Sequence, residues 1–275
     1  MVNKIGIMQG RLSKQKGIRI QEFPRDTWEQ EFEKAKDIGF DTIEWIFDSK
    51  DNPMLDDKKL DYILEKTIGY NISINSIIAD FFMDNSLLTN DYKSNENFEI
   101  LKKLIINANK LNIKIIEIPF VDSSSLKSRE EIEVLEKRIK KIIPILEKNQ
   151  MIIGLETDLN PKEFAELLER INHPNIRANY DSGNSASLGY DVCEEFELLG
   201  KWIKNIHIKD RLLKGNTVPL GKGNVNFDTL FKLIKKCDYN GDFIIQGARD
   251  KNELPEETCR KYITFVKHYV DKYLK

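Results

Sequence analysis

Short β-branched apolar runs alternate with longer amphipathic stretches from one end of the chain to the other. The runs at 4–8, 42–47, 72–79, 113–118, 151–156, 176–180, 203–208 and 243–246 have the length of buried strands. Helical spacing marks 26–38, 56–69, 95–111, 129–149, 161–171, 194–201 and 227–237 between them, and a last helix at 256–273 closes the series. Phe32, Ala35 and Ile38 repeat at the helical period in the first of these. Leu104, Ile105, Ala108 and Leu111 do so in the third. Gly39 and Gly69 stand where helix C-caps are expected.

Eight such β-then-α units over 275 residues predict an α/β fold: a closed (β/α)8 barrel of the TIM type, forming a single domain over 1–275. An open doubly wound sheet is the rival, but it usually has fewer strands and a glycine-rich first turn. The first turn here reads Met8-Gln9-Gly10-Arg11-Leu12, which is not a G-x-G-x-x-G loop. P-loop, HExxH, CxxC and EF-hand patterns are absent from the sequence. In a barrel, active sites sit at the carboxyl ends of the strands, so polar residues there become candidate functional groups.

Composition narrows the partners. A hydrophobic fraction of 40% supports a sizeable core, and the net charge of −2 comes from acids and bases interspersed along the chain. Nucleic-acid binding would need a clustered basic face, and none is read here. The basic stretch Lys137-Arg138-Ile139-Lys140-Lys141 reads as a solvated helix face. No run of 18 apolar residues is present, which excludes a membrane span by helix. The opening MVNKIGIMQGRL lacks the pattern of a signal peptide, and Cys193, Cys237 and Cys259 are odd in number without metal-type spacing. A reducing, cytoplasmic setting is the simpler expectation. Assembly into a homo-oligomer stays open.

Three polar residues close successive strand runs: Glu156 ends IIGLE, Asp181 ends IRANYD and His207 ends WIKNIH. Two carboxylates and an imidazole are the ligand chemistry of a divalent metal. Each has a competing structural role. Glu156 could serve as an ion-pair partner or helix cap, and Asp181 as an Asx-turn residue before Ser182-Gly183. His207 could be a hydrogen-bonded core residue, since alternation sets His207 and Lys209 on one face and Ile206 and Ile208 on the other. His173 and His268 fall in a loop and on the last helix and read as structural or solvated. Among weaker candidates, Glu44 is expected to bind a substrate hydroxyl or to form a rim ion pair. Arg11, Arg249 and Lys209 are candidates to capture an anionic group such as a phosphate. Trp45 and Phe81 are read as pocket wall or core.

At these residues the sequence resembles the xylose-isomerase-like barrel superfamily of sugar isomerases, epimerases and related enzymes. The resemblance covers most of the chain. It is carried by Gly154-Leu155-Glu156-Thr157, Asp181-Ser182-Gly183-Asn184, His207-Ile208-Lys209-Asp210 and the stretch Gly221-Lys222-Gly223-Asn224-Val225-Asn226-Phe227. The opening Met8-Gln9-Gly10-Arg11-Leu12-Ser13 is similar to a subgroup of sugar-phosphate isomerases or epimerases. The resemblance implies a divalent metal (Mn, Co, Mg or Zn) held by a Glu, an Asp, a His and a second Glu. The first three match Glu156, Asp181 and His207. The fourth matches Gln246, and the family's DxGH motif ends here in Asn184.

A glutamine can offer a carbonyl oxygen, but it adds no charge and exchanges no proton near neutral pH. Gln246 is therefore expected to weaken metal affinity and to remove one acid/base group. Two-face epimerisation would then need a substitute such as Glu44, Asp80 or Asp210. Single-face isomerisation would not, which tilts the expectation toward an isomerase of a small sugar or sugar phosphate. In that expectation Glu156 is ligand and base, and Gln246 is a weak ligand or hydrogen bonder. Glu44, Arg11, Lys209, Asp210 and Arg249 bind substrate. The alternatives are a sugar-binding barrel that has lost catalysis, a lyase or dehydratase of the same superfamily, and a metal-dependent endonuclease. The scarcity of histidines and the low pI argue against the last.

Overall fold

A computed structural model describes residues 3–17, 19–89 and 91–275. Eight parallel strands close into a barrel: β1 (Ile5–Met8), β2 (Thr42–Ile46), β3 (Ser73–Ile78), β4 (Ile115–Phe120), β5 (Ile152–Thr157), β6 (Ile176–Asp181), β7 (Ile203–Ile208) and β8 (Asp242–Ile245). Each pairs with its sequence neighbour, and β1 pairs with β8 to complete the ring. These strands are buried between the barrel interior and the surrounding helices, so they read as nearly continuous apolar runs. The (β/α)8 architecture expected from the pattern is thus the one observed.

The helices that matter for the site are α1 (Gln30–Ile38), α2 (Asp57–Tyr70), α3 (Tyr92–Lys110), α4 (Arg129–Asn149), α5 (Pro161–Ile171), α6 (Ser182–Leu188), α7 (Val192–Leu199), α8 (Phe227–Lys236) and α9 (Pro255–Tyr273). Local signals explain several ends. In α4, Ser128 Oγ accepts the Glu131 N–H while the Glu131 side chain reaches back to the Ser128 N–H, a reciprocal capping box. Gly39 caps α1 in the left-handed region, as its position predicts. Gly69 does not cap α2, which runs one residue further and ends at Asn71 with φ 54°. Asparagine tolerates that conformation through its short polar side chain, so the glycine was not needed there.

Among the elements not anticipated, two border the site. The helix α6 grows directly from the end of β6, and a small antiparallel hairpin pairs Asp210–Arg211 with Thr217–Val218 above β7. The basic stretch of α4 is also split. Lys137, Lys140 and Lys141 are exposed. Arg138 is buried and donates to Asn95 Oδ1, Ser94 Oγ and the Thr89 carbonyl, because it turns onto the face packed against α3. Trp45 and Phe81 are buried in the core. Among the described residues, no helix is long and apolar enough to cross a membrane.

Candidate metal and catalytic site

The barrel interior carries an unusually polar layer around the middle of its strands. Glu44, Ser76, Glu117, Asn179, Asn205 and His207 are all buried there, where branched apolar side chains normally fill the layers. His207 stands at the centre. Its Nε2 lies 2.6 Å from Glu44 Oε2 and 3.0 Å from Glu117 Oε2. Its Nδ1 lies 3.9 Å from both Glu156 Oε2 and Asp181 Oδ2. One imidazole therefore separates a deep acid pair from a pair at the mouth.

Burial alone would depress the His207 pKa, but the negative charges of Glu117 and Glu44 outweigh it and hold the ring well above its usual value. Burial pushes Glu117 well above the carboxylate range, against the pull of His207. The deep pair is held by its own partners. Glu44 Oε1 accepts from Ser76 Oγ at 2.6 Å and from Asn205 Nδ2 at 2.9 Å, and Glu117 Oε1 accepts from Asn179 Nδ2 at 2.7 Å.

At the mouth, the sequence-predicted trio converges. Asp181 takes the turn-and-cap role weighed for it: Oδ1 accepts the Asn184 N–H at 2.8 Å as the N-cap of α6, leaving Oδ2 toward His207 and, at 3.4 Å, Lys209 Nζ. Glu156 Oε1 accepts from Asn184 Nδ2 at 2.6 Å and Oε2 from Asn179 Nδ2 at 3.2 Å. Asn184 is the hub of this rim, since its Oδ1 accepts from Lys209 Nζ at 3.2 Å and Arg211 Nη1 at 2.9 Å. Gly183 permits the packing: a Cβ there would stand 2.6 Å from Lys209 Cγ and 3.1 Å from its carbonyl carbon.

Ligand atoms of Glu156, Asp181 and His207 all lie within 4.8 Å of one another. Two metal–ligand bonds near 2.0–2.2 Å can bridge the 3.9 Å from His207 Nδ1 to each carboxylate oxygen, so the donor set can hold a divalent ion. With Glu44 on Nε2, Nδ1 is left facing the two mouth carboxylates, where a bound ion would take the place of the Nδ1 proton; a carboxylate on the other ring nitrogen is typical of metal-ligating histidines. Glu44, Glu117 and His207 also form a compact group. Both oxygens of Glu44 are already engaged in hydrogen bonds, so that group is better suited to support than to ligation.

Gln246 follows β8 at the same mouth. Its Oε1 is buried without a partner, and its Nε2 donates to Gln21 Oε1 at 2.5 Å.

The structure does not bring Arg11, Arg249 or Asp210 into this cluster. Arg11 donates to the Gly247 and Ile20 carbonyls, and Arg249 to those of Ser13 and Gly10. Glu31 completes the brace by accepting from the Gly10 N–H and Ser13 Oγ. These contacts lock the turn after β1, where Gly10 adopts φ +81°. Both arginines line a cavity of about 950 Å3 that contains none of Glu156, Asp181 or His207. Asp210 accepts the backbone N–H groups of Gly221, Gly223 and Val225, which shapes the loop before α8. Glu117, Asn179, Arg211 and Gln21 were missed by the sequence reading. For Glu117 the signal existed: an acid inside the apolar run of β4.

The profile of the xylose isomerase-like TIM barrel family matches residues 32–267. The Haemophilus influenzae protein SgbU, named provisionally as an L-ribulose-5-phosphate 3-epimerase, is 28% identical over 260 residues, covering 87% of this chain and 90% of that one. The L-ribulose-5-phosphate 3-epimerase UlaE of Escherichia coli is 23% identical over 260 residues, covering 88% of this chain and 89% of the relative. Among solved structures, the IOLI protein with a bound zinc atom superposes with a TM-score of 0.78 at 17% identity, over 98% of this chain and 99% of that one. A strand-end acid, acid and imidazole set on a closed barrel, together with a family profile spanning most of the sequence, leads to one assignment: the chain belongs to the xylose isomerase-like TIM barrel family.

Proposed function

We propose that this chain is an enzyme that isomerises or epimerises a small sugar or sugar phosphate through an enediolate, with Glu156 as base. The observation that carries the reading is the convergence of Glu156 Oε2, Asp181 Oδ2 and His207 Nδ1, with Nδ1 turned toward the two acids by Glu44. Glu156, Asp181 and His207 would hold the divalent ion, with the neutral oxygen of Gln246 as a weaker fourth ligand. Such an ion, when bound, polarises the substrate carbonyl and stabilises negative charge on its oxygens.

The remaining work falls to the chain. Asn179 and Asn184 aim the Glu156 carboxylate, which removes the proton from the carbon beside the carbonyl. Lys209 and Arg211 fix Asn184 from above and leave positive charge at the rim, suited to an anionic or hydroxyl-rich ligand. Relatives named as 3-epimerases of a ketose phosphate weigh toward epimerisation, whereas Gln246 weighs toward single-face isomerisation or toward a barrel that binds sugar without turnover.

The test is Glu156→Gln, assayed with L-ribulose 5-phosphate and with L-ribulose in the presence of Mn2+ or Co2+. Wild-type turnover should fall at least about 100-fold in the variant, the minimum usually lost with a general base. An unchanged rate refutes the assignment. A sugar that raises the melting temperature of the wild type without turnover places the chain among binding barrels.

A further inference from the structure

We propose that Asp80 is the second proton-exchange group of this site, serving the substrate face that Glu156 does not. The inference rests on Glu156 being the base. Asp80 lies just beyond the end of β3 and Gln246 just beyond β8, so both stand at the barrel mouth that holds Glu156. Gln21, from the loop between β1 and α1, bridges them: its Nε2 donates to Asp80 Oδ2 at 2.7 Å and its Oε1 accepts from Gln246 Nε2. The amide at position 246 cannot exchange a proton near neutral pH, but it is linked through one neutral side chain to a carboxyl that can.

The other acids nearby are engaged. Glu44 is held by Ser76, Asn205 and His207, Glu117 lies beneath His207, and Asp210 holds three backbone amides. Gln21 is a neutral partner for Asp80, so a change in protonation breaks no ion pair.

The surroundings favour the role. Burial pushes the Asp80 carboxyl up to about 7, against the hydrogen bond from Gln21, with the charges of Glu156 and Asp48 adding to the rise and His207 opposing it. The charge of Arg11 also reaches it. A carboxyl poised there can donate and accept at neutral pH.

The step balances with the substrate and the two carboxyls. The Glu156 carboxylate takes the carbon-bound proton, and the electron pair left behind spreads over the enediolate. Protonated Asp80 then gives its proton to the opposite face of the same carbon as the carbonyl re-forms. The products are protonated Glu156 and ionised Asp80, and proton exchange with water restores both.

The experiment uses the full chain with Mn2+ and L-ribulose 5-phosphate in D2O, followed by proton NMR. It reads two quantities: deuterium entering the reacting carbon of recovered substrate, and appearance of the epimer. In Asp80→Asn, epimer formation should fall at least about 100-fold while deuterium entry stays within about fivefold of wild type, because Glu156 still works its own face. Glu156→Gln should lose both signals. The double variant Asp80→Asn/Gln246→Glu should regain epimer formation, since a carboxyl returns at the other end of the Gln21 bridge. An Asp80→Asn protein that epimerises within about twofold of wild type overturns the proposal. So does one that loses both signals together while melting normally, because Asp80 then serves binding or structure. A wild type inert toward the sugar overturns the enzyme reading and this inference with it. An active wild type beside an unaffected Asp80→Asn overturns this inference alone.

Discussion

Replacing Glu44 with glutamine probes whether a buried carboxylate sets which nitrogen His207 presents at the mouth. Glu44 Oε2 sits 2.6 Å from His207 Nε2, while Oε1 accepts from Ser76 and Asn205. A glutamine has one carbonyl oxygen and can satisfy only one side. If that oxygen stays with Ser76 and Asn205, its NH2 faces Nε2, and a neutral ring must carry its proton on Nδ1, the nitrogen facing Glu156 and Asp181. If the amide turns over, its NH2 meets two donors instead. Loss of such an outer-shell partner typically weakens metal binding 10–100-fold, or about 1.4–2.7 kcal/mol. With Mn2+ at about 100 times the wild-type Kd, the wild type gains ~2.7 kcal/mol of stability and a variant weakened 100-fold gains ~0.4. At roughly 2 °C or more per kcal/mol for a chain of this size, about 5 °C of the metal-dependent rise in Tm should vanish. Thermal unfolding of both proteins with and without Mn2+ reads this directly, and the metal-free Tm of the variant serves as its own baseline. Equal metal-dependent shifts in the two proteins would refute the tautomer argument.

Two further outcomes are expected. Gln246→Glu adds a charged ligand at the fourth strand end and should raise metal occupancy, measured by metal analysis of the purified proteins. If neither wild type nor variant holds metal, the ligand set is wrong. Burial pushes the Glu195 carboxyl up from 4.5 to about 7, despite hydrogen bonds from Ser185 and Tyr180. Between those values the folded chain binds the extra proton, so stability should decline as pH rises from about 4.5 to about 7 and level off above. The Glu195 share is on the order of 3 kcal/mol. Urea unfolding across that range should show a flatter profile for Glu195→Gln, and an identical slope would count against the assignment.

The sequence made the barrel legible because strands covered on both sides carry little polar alternation and stand out as β-branched runs. It made Glu156, Asp181 and His207 legible because each closes such a run. Helix termini were less visible: Gly69 and Asn71 both suit a left-handed cap, and only the helix length chooses between them. Arg138 was misread because charge in a basic run says nothing about which face of α4 packs against α3. The deep pair was hidden for another reason. Glu44 and Glu117 meet at His207 only through the ring closure of the barrel, across 163 positions in the first case. Gln21 lies in an irregular loop, where no periodicity announces what the chain will reach.

The amide at position 246 makes electrostatic sense in light of that hidden pair. Glu44, Glu117, Glu156 and Asp181 already surround one imidazole, and Lys209 Nζ lies 3.4 Å from Asp181. A further carboxylate close to them would repel each by about 4 kcal/mol at 4 Å separation and an effective dielectric near 20. Glu117 shows the strain of that crowding, since Glu44 and Glu156 add to the rise in its pKa that burial begins. A neutral side chain at 246 keeps an oxygen at the mouth without adding to the repulsion, while Gln21 carries the connection on to Asp80, where a proton can be exchanged. The departure from the family pattern is then a redistribution of charge within one barrel mouth: an acid beneath the imidazole, an amide on β8, and a carboxyl of raised pKa on the far side of Gln21.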